Sequence, residues 1–242
     1  MNKERKVYTS FHDIPPREYM YFPKGTIEPS KPGKFSSIEI RHLLISITIL
    51  TLAFSFAIVK LFQNNKFFVT NFEALLYVIP ISFLGVITAF FFHEIFHKFM
   101  AQKHGLWAEY RMFPQGLILA LILGLFTPFI FAAPGAVMFR GGARSYETGK
   151  IAMSGPLANI IVAGLTLPIY LFLLFEEPLI GSILGFICFI NAFMATFNLL
   201  PFGPLDGVKI IRWSATVWVI MLIVSATILV IIYPKIGGIL TF

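Results

Sequence analysis

Long apolar runs, separated by short polar segments, dominate the chain from residue 42 onward. Windows of about twenty apolar residues predict helices that cross a membrane. Five such spans are predicted, at Leu43–Phe62, Ala74–Met100, Leu157–Phe175, Leu179–Leu200 and Trp213–Tyr233. The pattern therefore predicts an all-α polytopic membrane protein with five to six transmembrane helices.

A sixth apolar stretch, Leu117–Phe139, is long enough to cross but is interrupted by Thr127-Pro128 and Ala133-Pro134-Gly135. If the stretch dips in and returns, sixteen Lys and Arg residues share one side of the membrane and three lie on the other. If it crosses, the division becomes twelve against seven. The positive-inside rule favours the excursion, so we expect a re-entrant segment here.

Composition agrees with a membrane protein, because 57% of the residues are hydrophobic, 13% are charged and the mean hydropathy is +0.81. Residues 1–41 are polar, with five prolines and eight Lys or Arg, and predict an irregular cytoplasmic N-terminal extension to a membrane domain at 42–242. The single cysteine, Cys188, excludes an internal disulfide and a cysteine-based zinc site. The net charge of +7 suits anionic lipid headgroups. Nucleic-acid binding would need a basic folded domain, which the sequence does not predict.

The most informative motif is His93-Glu94-Ile95-Phe96-His97, at the end of the second apolar span. Positions i and i+4 share one face of a helix, so His93 and His97 can bind one metal ion. Glu94 lies about 100° round the helix, where it can reach a metal-bound water as in zinc peptidases. Ionisable groups at membrane depth are costly and therefore indicate function.

A zinc site needs a third protein ligand and an open position for water. Asp206 is the strongest candidate, since it lies in an apolar segment, residues 198–207, that two prolines interrupt. The alternative is a turn aspartate before glycine. The excursion described above is the topology that brings this segment to the face that carries His97.

Other third ligands fit less well. A metzincin would have Gly and His where this chain has Met100 and Lys103, so that family is excluded. Glu109 lies in a polar segment only twelve residues past His97 and is a weak candidate. His104 instead marks the end of the helix together with Gly105.

Three sequence blocks resemble the site-2 protease family of intramembrane zinc metalloproteases. They are HEIFHKFMAQKHG at 93–105, SGPLAN at 154–159 and NLLPFGPLDG at 198–207. The resemblance to the family covers about residues 74–212. The resemblance implies one zinc ion per chain held by His93, His97 and Asp206, with Glu94 as catalytic base and Asn159 near the substrate carbonyl. The apolar insertion Leu117–Ala133 departs from the family pattern.

Peptide hydrolysis at this site follows from the chemistry of the expected groups. Zinc lowers the pKa of its bound water toward about 7, so that water can attack a peptide carbonyl. Glu94 would accept the water's proton and pass it to the departing nitrogen. Asn159 would donate its amide to the developing oxyanion. Alternatively, Asn159 would make a hydrogen bond between helices, as asparagine often does in membranes.

A helical substrate hides its amide groups, so the enzyme must bind an unwound segment. We expect the residues Ala136, Val137, Met138 and Phe139 to offer a strand edge for substrate pairing. The alternative is a plain connecting loop. We also expect a short β-hairpin over Gly135–Met153, with Arg140-Gly141-Gly142 as its turn.

The predicted function is an intramembrane zinc endopeptidase that cleaves peptide bonds in or near transmembrane segments of membrane proteins. It would be a multi-pass cell-membrane protein whose N-terminus and active-site face are cytoplasmic. Two alternatives are a transporter or other non-peptidase metal-binding membrane protein, and a non-catalytic scaffold. The sequence leaves the oligomeric state open.

Overall fold

The computed structural model describes residues 33–62, 72–127, 130, 134–140, 143–173 and 176–233. Within these ranges, five helical segments are long and apolar enough to cross a membrane. The helices are α1 (Ser37–Phe62), α2 (Phe72–Val86), α3 (Phe92–Lys103), α4 (Pro114–Phe126), α5 (Ser145–Leu173), α6 (Pro178–Asn198), α7 (Asp206–Trp213) and α8 (Ala215–Ile232), and a π-helical segment, Ile87–Phe91, joins α2 to α3. The strands are β1 (Trp107–Met112) and β2 (Gly135–Arg140).

The predicted spans agree with α1, the continuous segment α2 to α3, α5, α6 and α8, so the protein is a multi-pass helical membrane protein. α1 begins at Ser37, so the last five residues of the predicted extension are helical. Residues 1–32 lie outside the described part of the chain. The division into an extension and a membrane domain at residue 42 stays a prediction.

The apolar stretch after β1 leaves the sheet and returns to it. The backbone N–H of Phe113 donates to the carbonyl of Pro134 at 2.8 Å, so both ends of the segment between them lie side by side. Its helix, α4, has 13 residues and is about 20 Å long, too short for a hydrocarbon core of about 30 Å. α4 packs along α1, where Lys60 Nζ donates to the Leu125 carbonyl at 2.9 Å. The two ends of the segment therefore lie together, as the predicted excursion requires, and its placement in the membrane stays a prediction.

The two strands form an antiparallel sheet, but not the predicted hairpin. β2 pairs with β1 in a register that runs from Trp107↔Arg140 to Met112↔Gly135. The prediction of a hairpin over Gly135–Met153 is wrong, because residues from Ser145 onward belong to α5. The predicted turn residues Gly141 and Gly142 lie outside the described residues. The strand at 136–139 itself is confirmed, and its partner is the segment that directly follows α3.

A buried ion pair joins the sheet to the helices. Glu39 on α1 and Lys98 on α3 are both fully buried and form a salt bridge, and the Lys98 ammonium also lies 3.8 Å from the centre of the Phe35 ring. The second oxygen of Glu39 accepts the backbone N–H of Tyr110 at 3.0 Å. Removing one partner of such a pair would leave a buried charge uncompensated. The pair therefore holds α1, α3 and β1 in one arrangement beside the histidines.

Candidate metal centre

Three predicted ligands converge on one point. The Nε2 atoms of His93 and His97 lie 3.0 Å apart. Asp206 Oδ2 lies 3.4 Å from His93 Nε2 and 2.9 Å from His97 Nε2. All three side chains are buried. The structure thus brings together an aspartate and a histidine pair that are more than a hundred residues apart in the chain.

Local structure explains how each ligand is placed. His93 and His97 lie one turn apart on α3, and their ring centroids are 4.6 Å apart. The helix ends as predicted, with His104 as its C-terminal cap and Gly105 in the left-handed region at φ 70°. Asp206 is the first residue of α7, where a negative charge interacts favourably with the helix dipole.

The charge of Asp206 follows from its surroundings. Burial by itself would raise the pKa of this carboxyl group, but the neighbouring His97 and His93 and the nearby Lys209 hold the pKa well below its ordinary value. Asp206 is therefore an ionised ligand. An anionic oxygen beside two imidazole nitrogens is a set that a divalent cation binds well.

Gly155 on α5 keeps space open beside the ligands. A Cβ atom at this position would lie 2.8 Å from His93 Nε2 and closer still to His97 Nε2. Any side chain here would therefore fill the volume toward which the imidazole nitrogens point. Its neighbour Pro156 has no N–H to donate, so the hydrogen-bond ladder of α5 is interrupted in the same turn.

The donor set fits zinc. Bonds of about 2.1 Å in a tetrahedral site place neighbouring ligand atoms about 3.4 Å apart. The three observed separations, 3.0, 2.9 and 3.4 Å, are close to that value. Two imidazoles and one carboxylate leave a fourth position for water or substrate. Zinc is the cofactor that these residues would hold.

Each ligand also has a partner on its far side. His97 Nδ1 donates to the Ile151 carbonyl at 2.7 Å, and His93 Nδ1 donates to Asn159 Oδ1 at 2.6 Å. Lys209 Nζ donates to Asp206 Oδ1 at 3.0 Å, so that the other oxygen, Oδ2, faces the histidines. Such outer contacts orient metal ligands and set the histidine tautomer.

Glu94 lies beside the ligands without being one of them. Its side chain is buried and interacts electrostatically with His93 and Asp206. Its Oε2 atom accepts the backbone N–H of Val137, on β2, at 3.0 Å. The predicted base is therefore placed between the metal ligands and the strand edge.

The register shows which edge of β2 faces Glu94. Opposed residues of an antiparallel pair alternate between exchanging hydrogen bonds and pointing their backbone groups outward. Tyr110 and Val137 are opposed, and their N–H groups go to Glu39 and Glu94 rather than to each other. The outward positions of β2 are thus Val137 and, two residues on, Phe139. Within the described part of the chain, no further strand pairs with this edge.

A search for related proteins found one informative relative. A protein of Methanocaldococcus jannaschii named "Putative zinc metalloprotease MJ0611" is 36% identical over 193 residues, which are 78% of this chain and 91% of the relative. The chain belongs to this zinc metalloprotease family. No family model matches the chain, and no solved structure matches it.

Asn159 contacts one predicted metal ligand, His93, on the side away from the other two ligands. Its side chain is fully buried, and its Nδ2 atom donates to the Ala89 carbonyl and to Asn191 Oδ1, each at 2.9 Å. Both amide hydrogens thus have acceptors within the protein. These contacts match the alternative of a hydrogen bond between helices, whereas contact with a substrate carbonyl stays a prediction.

Sequence reasoning missed four residues that support the site. Asn191 and Thr88 extend the contacts of Asn159, Lys209 holds Asp206, and Glu39 anchors β1. Asn191 carried a usable signal, since a polar side chain within a predicted membrane span indicates function. Glu39 carried none, because a charge ahead of an apolar run is usually solvated. The rejected candidate Glu109 lies on β1 and pairs with Arg111.

Proposed function

We propose that this protein is an intramembrane zinc endopeptidase of the site-2 protease type, which hydrolyses peptide bonds in or near transmembrane segments of membrane proteins. The observation that carries the proposal is the placement of Glu94. This carboxylate lies next to three convergent metal ligands and touches the edge of a strand to which an unwound substrate can pair. A metal transporter has no need for a strand edge that can pair with an extended peptide.

The chemistry divides between the metal and the chain. When bound, zinc would polarise the scissile carbonyl and make a water acidic enough to lose a proton near neutral pH. Glu94 accepts the proton of the attacking water and then delivers it to the departing amide nitrogen. His93, His97 and Asp206 hold the metal, while Gly155 leaves room beside it.

The outer edge of β2 is the proposed substrate-binding element. An extended peptide that pairs with this edge would meet the backbone of Val137 and Phe139, beside Glu94. The side chains of Ala136 and Met138 are exposed on one face of β2, where they can contact substrate side chains. Backbone hydrogen bonds between β2 and the substrate would position the scissile bond. Because these bonds do not depend on side chains, the enzyme would accept many substrate sequences.

The topology supports an orientation. With the excursion returning to its own side, sixteen of the nineteen Lys and Arg residues share the side of the N-terminus and the metal ligands. The positive-inside rule makes this side cytoplasmic. We propose a multi-pass protein of the cell membrane that cleaves its substrates near the cytoplasmic face.

The catalytic role of Glu94 is tested with Glu94→Gln in the full chain, purified in detergent. This substitution keeps the shape of the side chain and removes the base. We expect the variant to bind one zinc per chain and to cleave a generic membrane-helix substrate about 10²–10⁴-fold more slowly. Zinc analysis and a cleavage assay, with and without chelator, provide the measurements. Cleavage at the wild-type rate in Glu94→Gln, or after complete zinc removal, would contradict the proposal.

The role of the strand edge is tested at Phe139. Phe139→Pro removes an outward N–H, which an edge strand tolerates, and Phe139→Ala is the control for loss of the side chain. We expect the KM of the proline variant to be about fivefold higher than that of the alanine variant, since the lost hydrogen bond contributes about 1 kcal/mol. Zinc content should stay at one per chain. Equal kinetics in the two variants would mean that substrates do not pair at this position.

A further inference from the structure

Asn191 is a fully buried polar residue on α6 that lies outside the three sequence blocks of the metal centre. Burying an amide in an apolar helix costs free energy unless every polar atom has a partner. Here both ends of the side chain are satisfied, and the partners lie on three different helical segments. The residue therefore belongs to a connected network.

The partners of Asn191 determine which way its amide points. Its Nδ2 atom donates to the carbonyl of Ile187 at 2.9 Å and to Thr88 Oγ1 at 3.0 Å. A carbonyl can only accept, so the nitrogen must be on this side and the oxygen Oδ1 must face Asn159. Thr88 Oγ1 in turn donates to the Leu84 carbonyl at 2.9 Å, which leaves its lone pairs for Asn191.

Asn191 and the Ala89 carbonyl together determine the orientation of Asn159. Asn191 Oδ1 and the Ala89 carbonyl both accept, and both lie 2.9 Å from the Nδ2 atom of Asn159. The two hydrogens of that nitrogen are thereby used. The Oδ1 atom of Asn159 must point the other way, toward His93.

The last step reaches the metal ligand. Asn159 Oδ1 lies 2.6 Å from His93 Nδ1 and can only accept, so Nδ1 must carry a hydrogen. A neutral imidazole with its proton on Nδ1 has its lone pair on Nε2, the atom that faces His97 and Asp206. The network also includes Thr88 and the Ala89 carbonyl, in the π-helical segment shortly before His93. Its hydrogen bonds therefore connect this segment to α5 and α6.

We propose that Asn191 is a positioning residue for zinc, which acts with the Ala89 carbonyl to set the amide orientation of Asn159 and through it the tautomer of His93. Asn191 touches neither substrate nor metal. Its role rests on the metal centre and not on the peptidase activity, so it is measured as zinc affinity without any substrate. A failure of this inference is thus distinguishable from a failure of the proposed peptidase function.

The test uses the full chain in detergent, with zinc affinity measured by competition with a chelator. Asn191→Leu removes the network residue, Thr88→Val removes one of its acceptors, and Thr88→Ser restores that acceptor. The matched control is Thr196→Val, also on α6, since the hydroxyl of Thr196 bonds the Ala192 carbonyl of its own helix. Cobalt substituted for zinc reports the ligand geometry through its visible absorption spectrum.

We expect zinc affinity to fall about tenfold in Asn191→Leu, the scale of an outer contact to a metal ligand, and a few-fold in Thr88→Val. The cobalt spectrum should change in the same order, while Thr88→Ser and Thr196→Val match the wild type. Wild-type affinity and spectrum in a folded Asn191→Leu would overturn the inference. If that variant does not fold, Thr88→Val decides, and an affinity equal to that of Thr196→Val would overturn it.

Discussion

The two halves of the metal centre are supported in different ways. The histidine side consists of His93 and the contacts behind it, which run through Asn159 to Asn191 and contain no charged group. The aspartate side consists of Asp206 and Lys209, on the short helix α7, and the lysine side chain is 40% exposed. His93 is held by a buried, neutral network, and Asp206 is held by an ion pair with a partly exposed lysine.

The difference follows from the cost of burying charge. An isolated ion in an apolar interior is very unfavourable, whereas a fully hydrogen-bonded amide is not. A neutral imidazole can therefore be oriented deep among the helices by amides alone. An ionised aspartate needs a counter-charge, and a lysine near the surface supplies it at a lower desolvation cost. The comparison predicts that the two sides respond differently to substitution and to salt.

The largest effect is expected at Gly155, which lies against the Nε2 atoms of both histidines. Gly155→Ala puts a methyl group against both Nε2 atoms, so we expect almost complete loss of zinc binding and of cleavage. The control is Gly164→Ala on the same helix, since a Cβ there has no neighbour within 4 Å. Metal analysis of the two purified variants measures the effect. Stoichiometric zinc in Gly155→Ala would show that the metal does not occupy the space between the ligands.

A smaller effect, of a different character, is expected at Lys209. Lys209→Met frees the second oxygen of Asp206 and removes the neighbouring charge, so zinc affinity should fall about tenfold at low salt. The difference from the wild type should shrink as salt is added, because this lysine is partly exposed and salt screens its charge.

Two controls make this comparison quantitative. Lys209→Arg keeps the charge and should stay near the wild-type affinity, while the loss in Asn191→Leu should not depend on salt. Titration of each variant with a zinc chelator at several ionic strengths gives the measurement. Equal salt dependence in Lys209→Met and Asn191→Leu would remove the distinction between a neutral and a charged side of the centre.

Sequence patterns were most informative where the relevant contacts are local. Membrane spans follow from runs of apolar residues, and the shared face of His93 and His97 follows from the helical repeat. The end of α3 at His104-Gly105 could also be predicted, because a helix end depends on neighbouring residues. The return of the segment after β1 was inferred from the distribution of charge, which is a property of the whole chain but is visible residue by residue.

Patterns failed where a segment depends on a distant partner. Trp107–Met112 has only six residues, too few for a clear strand pattern. The burial of Ala108 and Tyr110 is explained only by tertiary contacts such as the pairing of this strand with β2. Without that partner, a hairpin within 135–153 was the simplest reading, and it was wrong. Glu39 likewise reads as a solvated charge until Lys98, fifty-nine residues away, is placed against it.

The sequence by itself determined that this is a helical membrane protein with a histidine pair and a carboxylate at the end of one span, because hydrophobicity and helical spacing act over a few neighbouring residues. Only the tertiary structure decided that Asp206 meets those histidines, that Glu94 touches the edge of β2, and that Asn191 orients His93 through Asn159. The physical reason is that hydrogen bonds and metal geometry depend on distances of about 3 Å between atoms, and spacing along a chain does not specify such distances between separate helices.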